Sequence, residues 1–302
     1  MKKILITGGT GTVGSAFIKR YYDDYQFYSI SRGEEKIAEL NSKFPNVTTF
    51  IRDIENQDQI LNLFELIKPD IVIHAAALKH VNLAETNPTK TININLQGSL
   101  NVINASIRTE VPLTIGISTD KACSPENIYG YSKKMMEQIF AEHHNSKTKF
   151  ICTRFANVAG SRGSVIPFFK NLVSKNQSLK LTSKDMNRLM FSSKEAAELV
   201  HSSINLSNHF KESFVLSKKM KSVNMLRLAK TMSDNIEIVG LRPGEKLNED
   251  LISSKELSYT KVIDDYILLF NSKQSQETNL KSSFSSKNAP IMSNSEMINL
   301  IN

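Results

Sequence analysis

Apolar runs recur along the first half of the chain, at residues 3–6, 26–30, 47–51, 70–74 and 111–117. Each reads as a strand whose carboxyl end opens into a turn. Between them lie stretches with apolar positions three or four apart, the spacing of one helix face. Ala16, Phe17 and Ile18 open one such helix, residues 88–107 form a long one, and residues 131–144 form another through Met135, Met136, Ile139 and Phe140. Strand alternating with helix across short loops is the pattern of a doubly wound parallel sheet. A sixth strand follows at 150–155. After Asn157 the rhythm breaks, and Phe214-Val215-Leu216 reads as a late strand. The expected organisation is therefore α/β: a parallel-sheet domain over 1–157, a smaller lobe over 158–302, and a late strand near 212–217 that interleaves the two. Residues 272–287, rich in Ser, Lys, Asn and Gln, read as flexible, and 291–301 as a small docking helix. There is no internal repeat.

Composition narrows the class. The 302 residues suffice for a substantial core, and 40% hydrophobic with 23% charged content is ordinary for a soluble globular protein. A net charge of +8 raises nucleic acid as a partner. The lysines, however, are spread along the whole chain without a basic stripe or interleaved aromatics, so a diffuse basic surface that mildly attracts anionic substrates is expected instead. Cys123 and Cys152 lack disulfide-framework or metal-ligand spacing, which points to a reducing compartment and no metal. The apolar run at 4–6 is too short for a signal peptide, and no run is long enough for a bilayer. A cytoplasmic protein without membrane partners is expected.

The candidate chemistry begins at the end of the first strand. Thr7-Gly8-Gly9-Thr10-Gly11-Thr12-Val13-Gly14 places glycines at 8, 11 and 14 between strand and helix. Such a turn lets a pyrophosphate approach the helix N-terminus, as in the Rossmann dinucleotide fold. Ser31 and Arg32 follow the second strand, where an acid would meet the ribose of NAD. Arg32 without an adjacent acid favours NADP over NAD. Asp53, next to Ile54 after the third strand, is placed to meet the adenine edge. Ala75-Ala76-Ala77 leave room for the cofactor after the fourth strand, and Lys79 and His80 follow at the strand ends, where open sheets bind ligands. Tyr129 and Lys133 stand four apart at a helix start, on one face. A nearby ammonium would stabilise a phenolate and make Tyr129 a base, with the Thr119 hydroxyl binding the same substrate oxygen. Further on, Leu241-Arg242-Pro243-Gly244-Glu245-Lys246 reads as a second ligand loop, with Arg242 free for a phosphate.

Together, the glycine turn, the Thr119–Tyr129–Lys133 set and the interleaved lobe resemble the extended short-chain dehydrogenase/reductases. The stretches Ser118-Thr119-Asp120-Lys121, residues 75–80, residues 154–167 and Arg242-Pro243-Gly244-Glu245-Lys246-Leu247 are similar to bacterial nucleotide-sugar 4,6-dehydratases. Within these, they most resemble the inverting UDP-N-acetylglucosamine 4,6-dehydratases of flagellar and surface-glycan sugar pathways. The resemblance implies a homo-oligomer, dimer or hexamer, that acts on a UDP-sugar with NADP. It implies that Thr119, Tyr129 and Lys133 oxidise C4, and that Asp120 and Lys121 are the acid and base of dehydration. Lys121 would serve if neighbouring cations or burial freed its amine. The implied cofactor set is Thr7, Gly8, Gly11, Thr12, Val13, Gly14, Ser31, Arg32, Asp53, Ile54, Ala75, Ala76, Ala77 and Lys79, with Tyr129 and Lys133. Lys79, His80, Asn157, Arg162, Val165, Arg242 and Glu245 would hold the substrate. Two other readings stay open: a 4-epimerase on the same scaffold, which needs only the Tyr/Lys pair, and a non-catalytic NADP-binding scaffold.

Overall fold

A computed structural model describes every residue except Ser146, Pro243 and Asn302. Six strands pair in parallel: β1 (Lys3–Thr7), β2 (Gln26–Ser31), β3 (Thr48–Ile51), β4 (Ile71–His74), β5 (Leu113–Thr119) and β6 (Lys149–Phe155). Their order is 3-2-1-4-5-6, so the direction of winding reverses between β1 and β4. In sheets of this order ligands lie outside the carboxyl ends of the strands at that reversal. Those ends carry the glycine turn, the Ala75–77 run and Thr119.

The pleat of β1 shows why the apolar runs are continuous. Ile4 and Ile6 face one layer with Phe17 and Phe27, while Leu5 faces the other with Phe64, Val72 and Val102. Both faces are covered, so every position is apolar. The helices Thr12–Arg20 and Ser193–Leu206 pack one against the other, and Gln57–Ile67 packs on Gly98–Arg108. Each fully buried Phe or Ile contributes on the order of 1.5–3 kcal/mol relative to exposure.

Beyond Asn157 the chain returns to this sheet three times. Phe214–Lys218 pairs parallel with β6 through Val215 and Cys152. Tyr266–Phe270 then pairs antiparallel with it, and Thr260–Ile263 with that, giving nine strands among the described residues. The intervening segments build a separate core from Ile166, Phe169, Leu181, Met190, Val223, Met225 and Leu228. Helix Asn294–Ile301 docks there through buried Met297. Within the polar stretch 272–287, Phe284–Ser285 pairs with Asp250–Ile252, so that part is tied down, contrary to its composition.

One charged residue fastens the two parts. Arg154 on β6 is wholly buried, donates to Glu137 Oε1 and Oε2 at 2.9 and 2.7 Å, to Glu256 Oε1 at 3.1 Å and to the Leu251 carbonyl at 2.8 Å. Helix Ile128–His143, the central sheet and the turn Ser254–Tyr259 thus meet on one guanidinium.

Candidate active site

The glycine turn forms a tight cradle. Gly8 has φ +73°, and a Cβ there would lie 2.9 Å from the backbone of Ala76. A Cβ on Gly14 would lie 2.7 Å from Gly9 Cα. Any side chain at these places pushes the turn open, which explains both glycines. Helix Thr12–Arg20 follows Gly11 with no side-chain cap and no acid in its first turn, so its first N–H groups suit an anion. The cradle fits the diphosphate of a dinucleotide. Val13 is the second residue of that helix, and Thr7 lies beneath the turn, its hydroxyl 2.7 Å from His74 Nδ1. His74 is buried and held neutral, its pKa pushed down to about 3 by burial first and by Lys133 second.

The adenosine end is less simple than the sequence suggests. Ser31 Oγ is 2.9 Å from Thr10 Oγ1 and is engaged with the turn itself. Arg32 does have acids nearby: Asp53 at 3.7 Å and Glu55 at 3.9 Å. They come from the loop after β3, which the sheet places beside β2, so adjacency along the chain could not reveal them. Ile54 is buried beneath Gly98, and Ala75 and Ala76 bond to Thr7, the latter through its hydroxyl. Ala77 is half-buried beside them.

The second cluster surrounds Thr119 at the end of β5. Asp120, 1% exposed, accepts on Oδ1 from the Thr119 hydroxyl at 2.9 Å and from Lys121 Nζ at 3.0 Å. Its other oxygen, Oδ2, is buried without a hydrogen-bond partner. Lys121 also pairs with Glu249 Oε1 at 3.6 Å. The expectation that neighbours or burial free the Lys121 amine is corrected. Burial alone would lower its pKa, but Asp120 and Glu249 outweigh it, and the pKa lies above the ordinary lysine value.

Tyr129 is pushed up to about 12 by burial. The Lys121 charge and the Thr119 hydroxyl pull it back, while Asp120 works against them. The expected pairing with Lys133 takes a different form. Lys133 Nζ donates to the Ile117 carbonyl at 2.8 Å, and burial pushes its pKa down to about 8. The cation that acts on Tyr129 is Lys121. The helix carrying Tyr129 and Lys133, Ile128–His143, is capped by Asn127, whose Oδ1 accepts from Gly130 N at 2.8 Å.

Two loops border these clusters. Lys79 Nζ donates to the Arg162 carbonyl at 2.9 Å, and Gly163 sits against His80, where a Cβ would lie 2.4 Å from the ring. The Arg162 guanidinium donates to the Thr10 carbonyl, and its N–H lies 3.3 Å from Thr12 Oγ1. Arg162, expected on the substrate, therefore lies on the cofactor turn. Asn157 Oδ1 is buried without a partner, and Val165 begins helix Val165–Ser174. The second ligand loop is anchored to the catalytic segment: Asn127 donates to the Gly244 carbonyl at 3.2 Å, and Lys246 Nζ to that of Ser124 at 2.6 Å. Arg242 is exposed and its N–H donates to Glu245 at 3.2 Å; Pro243 lies outside the described residues. Glu245 is 4.0 Å from Arg188, a buried arginine that holds the Lys246 and Leu247 carbonyls.

Glu249 and Arg188 were missed by sequence reasoning. Each reaches the site from far along the chain, and nothing in its local sequence marks it. No helix among the described residues is long and apolar enough to cross a membrane.

Known proteins resemble this chain along most of its length. It is 38% identical to a UDP-N-acetylglucosamine 4,6-dehydratase (inverting) of Campylobacter jejuni over 277 residues, 88% of this chain and 81% of the relative. It is 34% identical to a UDP-glucose 4-epimerase of Rickettsia bellii, covering 88% and 82%. The crystal structure of Pen from Bacillus thuringiensis superposes with a TM-score of 0.91 at 31% identity, covering 99% of this chain and 96% of that one. The family described as polysaccharide biosynthesis protein matches residues 4–270, and the chain belongs to that family.

Proposed function

We propose that the chain is a UDP-N-acetylglucosamine 4,6-dehydratase, inverting at C5, that uses NADP in preference to NAD. The observation that carries this reading is the pair that Lys121 makes with buried Asp120, 3.0 Å apart, in a turn packed against the start of the helix that carries Tyr129. A Cβ on Gly130 there would lie 2.4 Å from the Lys121 carbonyl. Bound in the glycine cradle, the nicotinamide cofactor would accept a hydride from C4 and return it to C6. Tyr129 takes the 4-hydroxyl proton as the phenolate, a form that burial disfavours and that the Lys121 charge and the Thr119 hydroxyl partly restore. The resulting ketone acidifies the C5 proton, which Lys121 removes. Asp120, whose Oδ2 is unpartnered in its buried place, relays a proton from Lys121 to the departing 6-hydroxyl, which leaves as water. Arg242 and Glu245 border the nucleotide, and Arg162 with Lys79 close over the glycine turn.

A 4-epimerase needs the tyrosine but no acid and base for water loss. The buried Asp120–Lys121 pair would then cost several kcal/mol of desolvation without a task. NADP is favoured because the Arg32 acid contacts are longer than hydrogen bonds and Arg32 is 59% exposed, free to turn to a phosphate. A cytosolic homo-oligomer is the proposed setting, supported by Tyr131 and Met135, exposed four apart on one helix face.

The test is incubation of the purified chain with UDP-N-acetylglucosamine. The expected product is lighter by one water, without net accumulation of reduced cofactor. A product of unchanged mass, epimeric at C4, would instead assign an epimerase. Cofactor released on denaturation should be NADP; NAD alone would contradict that assignment.

A further inference from the structure

The dehydratase reading leaves one buried carboxylate without a task. Glu249 is 3% exposed, and its main chain is locked to Ser286, whose hydroxyl accepts from Glu249 N at 3.0 Å and whose N–H donates to the Glu249 carbonyl at 2.9 Å. Its side chain points at Lys121, with Oε1 3.6 Å from Nζ, on the lysine that already meets Asp120 at 3.0 Å. Lys121 is thus held between its sequence neighbour Asp120 and a second carboxylate, Glu249, that the fold brings from far along the chain. Such a setting keeps the ammonium charged, whereas removal of the C5 proton needs the free amine.

We propose that Glu249 is the proton holder of Lys121: it takes the ammonium proton, and the amine so freed removes the C5 proton. This rests on the dehydratase reading and adds a third group to it. Glu249 acts through Lys121 and does not touch the substrate. Its reach of 3.6 Å closes through one water or a small swing of the lysine stem.

The protons balance. The ammonium proton passes to Glu249. The C5–H bond breaks and its proton goes to the Lys121 amine, while its electron pair forms the C5–C6 double bond. The C6–O bond breaks, and the hydroxyl leaves as water with the proton that Lys121 took from C5 and relays through Asp120. Glu249 then returns its proton to Lys121, which restores the ammonium. The proton that Tyr129 took from the 4-hydroxyl balances the one that finally returns to C5.

The surroundings are consistent with such sharing. Burial raises the Glu249 pKa above the ordinary carboxylate value; Lys121, Arg188 and Lys246 pull it down and Asp120 pushes it up. Arg188 comes from strand Asn187–Phe191 and Lys246 from the second ligand loop. Glu245 stands behind Arg188 at 4.0 Å, and Glu126 behind Lys246 at 3.1 Å.

The experiment measures exchange of the C5 proton in heavy water, with UDP-N-acetylglucosamine and the NADP-loaded enzyme, as a function of pH. In the wild-type chain the proton moves inside the cluster, so net protonation is unchanged. Exchange should then be flat with pH above the range where Glu249 itself takes a proton from solvent. In Glu249→Gln the lysine must lose its proton to solvent. Its exchange should fall well below wild type at neutral pH and rise about tenfold per pH unit until Lys121 titrates. Glu249→Asp should restore part of the flat profile, and hydride transfer from C4 in a single turnover should be unchanged in Glu249→Gln. A Glu249→Gln profile as flat as the wild type, whether at its rate or lowered by one factor at every pH, would overturn the proposal. Absence of exchange in the wild-type chain would overturn the dehydratase reading itself, a distinct result.

Discussion

The glycine cradle and the proton cluster both sit at the carboxyl ends of parallel strands, but they are built by different means. The cradle is one continuous piece of chain, residues 7–14, and its demands are steric: a Cβ on Gly8 or Gly14 meets backbone within 2.9 Å. The proton cluster joins a turn after β5, a helix, a strand and a loop, and its demands are electrostatic: the buried Asp120 and Glu249 stand 3.0 and 3.6 Å from Lys121 Nζ. A site made of backbone tolerates no substitution at its tight points. One made of charges tolerates substitutions that keep charge and reach, and each loss should stop a different step.

The largest expected effect falls on the cradle. Gly14→Val should abolish cofactor retention and with it all turnover, read by cofactor released from purified protein; retained cofactor would show that the turn yields more than its contacts suggest. In the cluster, Lys121→Met should lower dehydration by roughly 10²–10⁴-fold, the usual range for losing a general base, while hydride transfer from C4 slows far less, by the lost help to Tyr129 alone. Normal dehydration in that variant would remove Lys121 as the base. Arg154→Met leaves the wholly buried Glu137 without its guanidinium partner and should cost about 3–5 kcal/mol of stability in denaturant titration. A smaller effect is expected at the border. Arg242→Ala removes one charge-assisted phosphate contact, about 1.5–3 kcal/mol, and should raise the UDP Kd roughly tenfold or more. An unchanged Kd would place this arginine outside the nucleotide site.

The smallest effect is a pH dependence of the cradle's support. His74 has a folded pKa of about 3, below its unfolded value. Between the two, the unfolded chain binds the extra proton, so stability is full above the unfolded pKa and is lost as pH falls towards 3. Thermal unfolding should show that loss, and His74→Gln should flatten it.

The same contrast explains what could be read from sequence. The parallel sheet was legible because continuous apolar runs such as Ile4-Leu5-Ile6 need two covered faces, and the cradle because its glycines are adjacent. Asp120 and Lys121 were legible as residues, but the direction of the Lys121 titration was not, since Glu249 arrives from the far side of the second ligand loop. Arg32 was legible as a candidate, but its nearby acids, Asp53 and Glu55, were not, because they follow a neighbouring strand. The edge strands Thr260–Ile263 and Tyr266–Phe270 were missed because the alternating rhythm carries no information about a hairpin appended to the sheet.

The central claim is that oxidation at C4 and water loss across C5 and C6 are served by different groups of one site. Single-turnover mixing of UDP-N-acetylglucosamine with cofactor-loaded enzyme in heavy water tests it, following reduced nicotinamide by absorbance and C5 deuterium by NMR. Tyr129→Phe should give neither signal, and Lys121→Met should give reduced nicotinamide, more slowly than the wild type, without C5 deuterium. Equal loss of both signals in the two variants would contradict the division of labour, and C5 deuterium in Lys121→Met would remove Lys121 as the base.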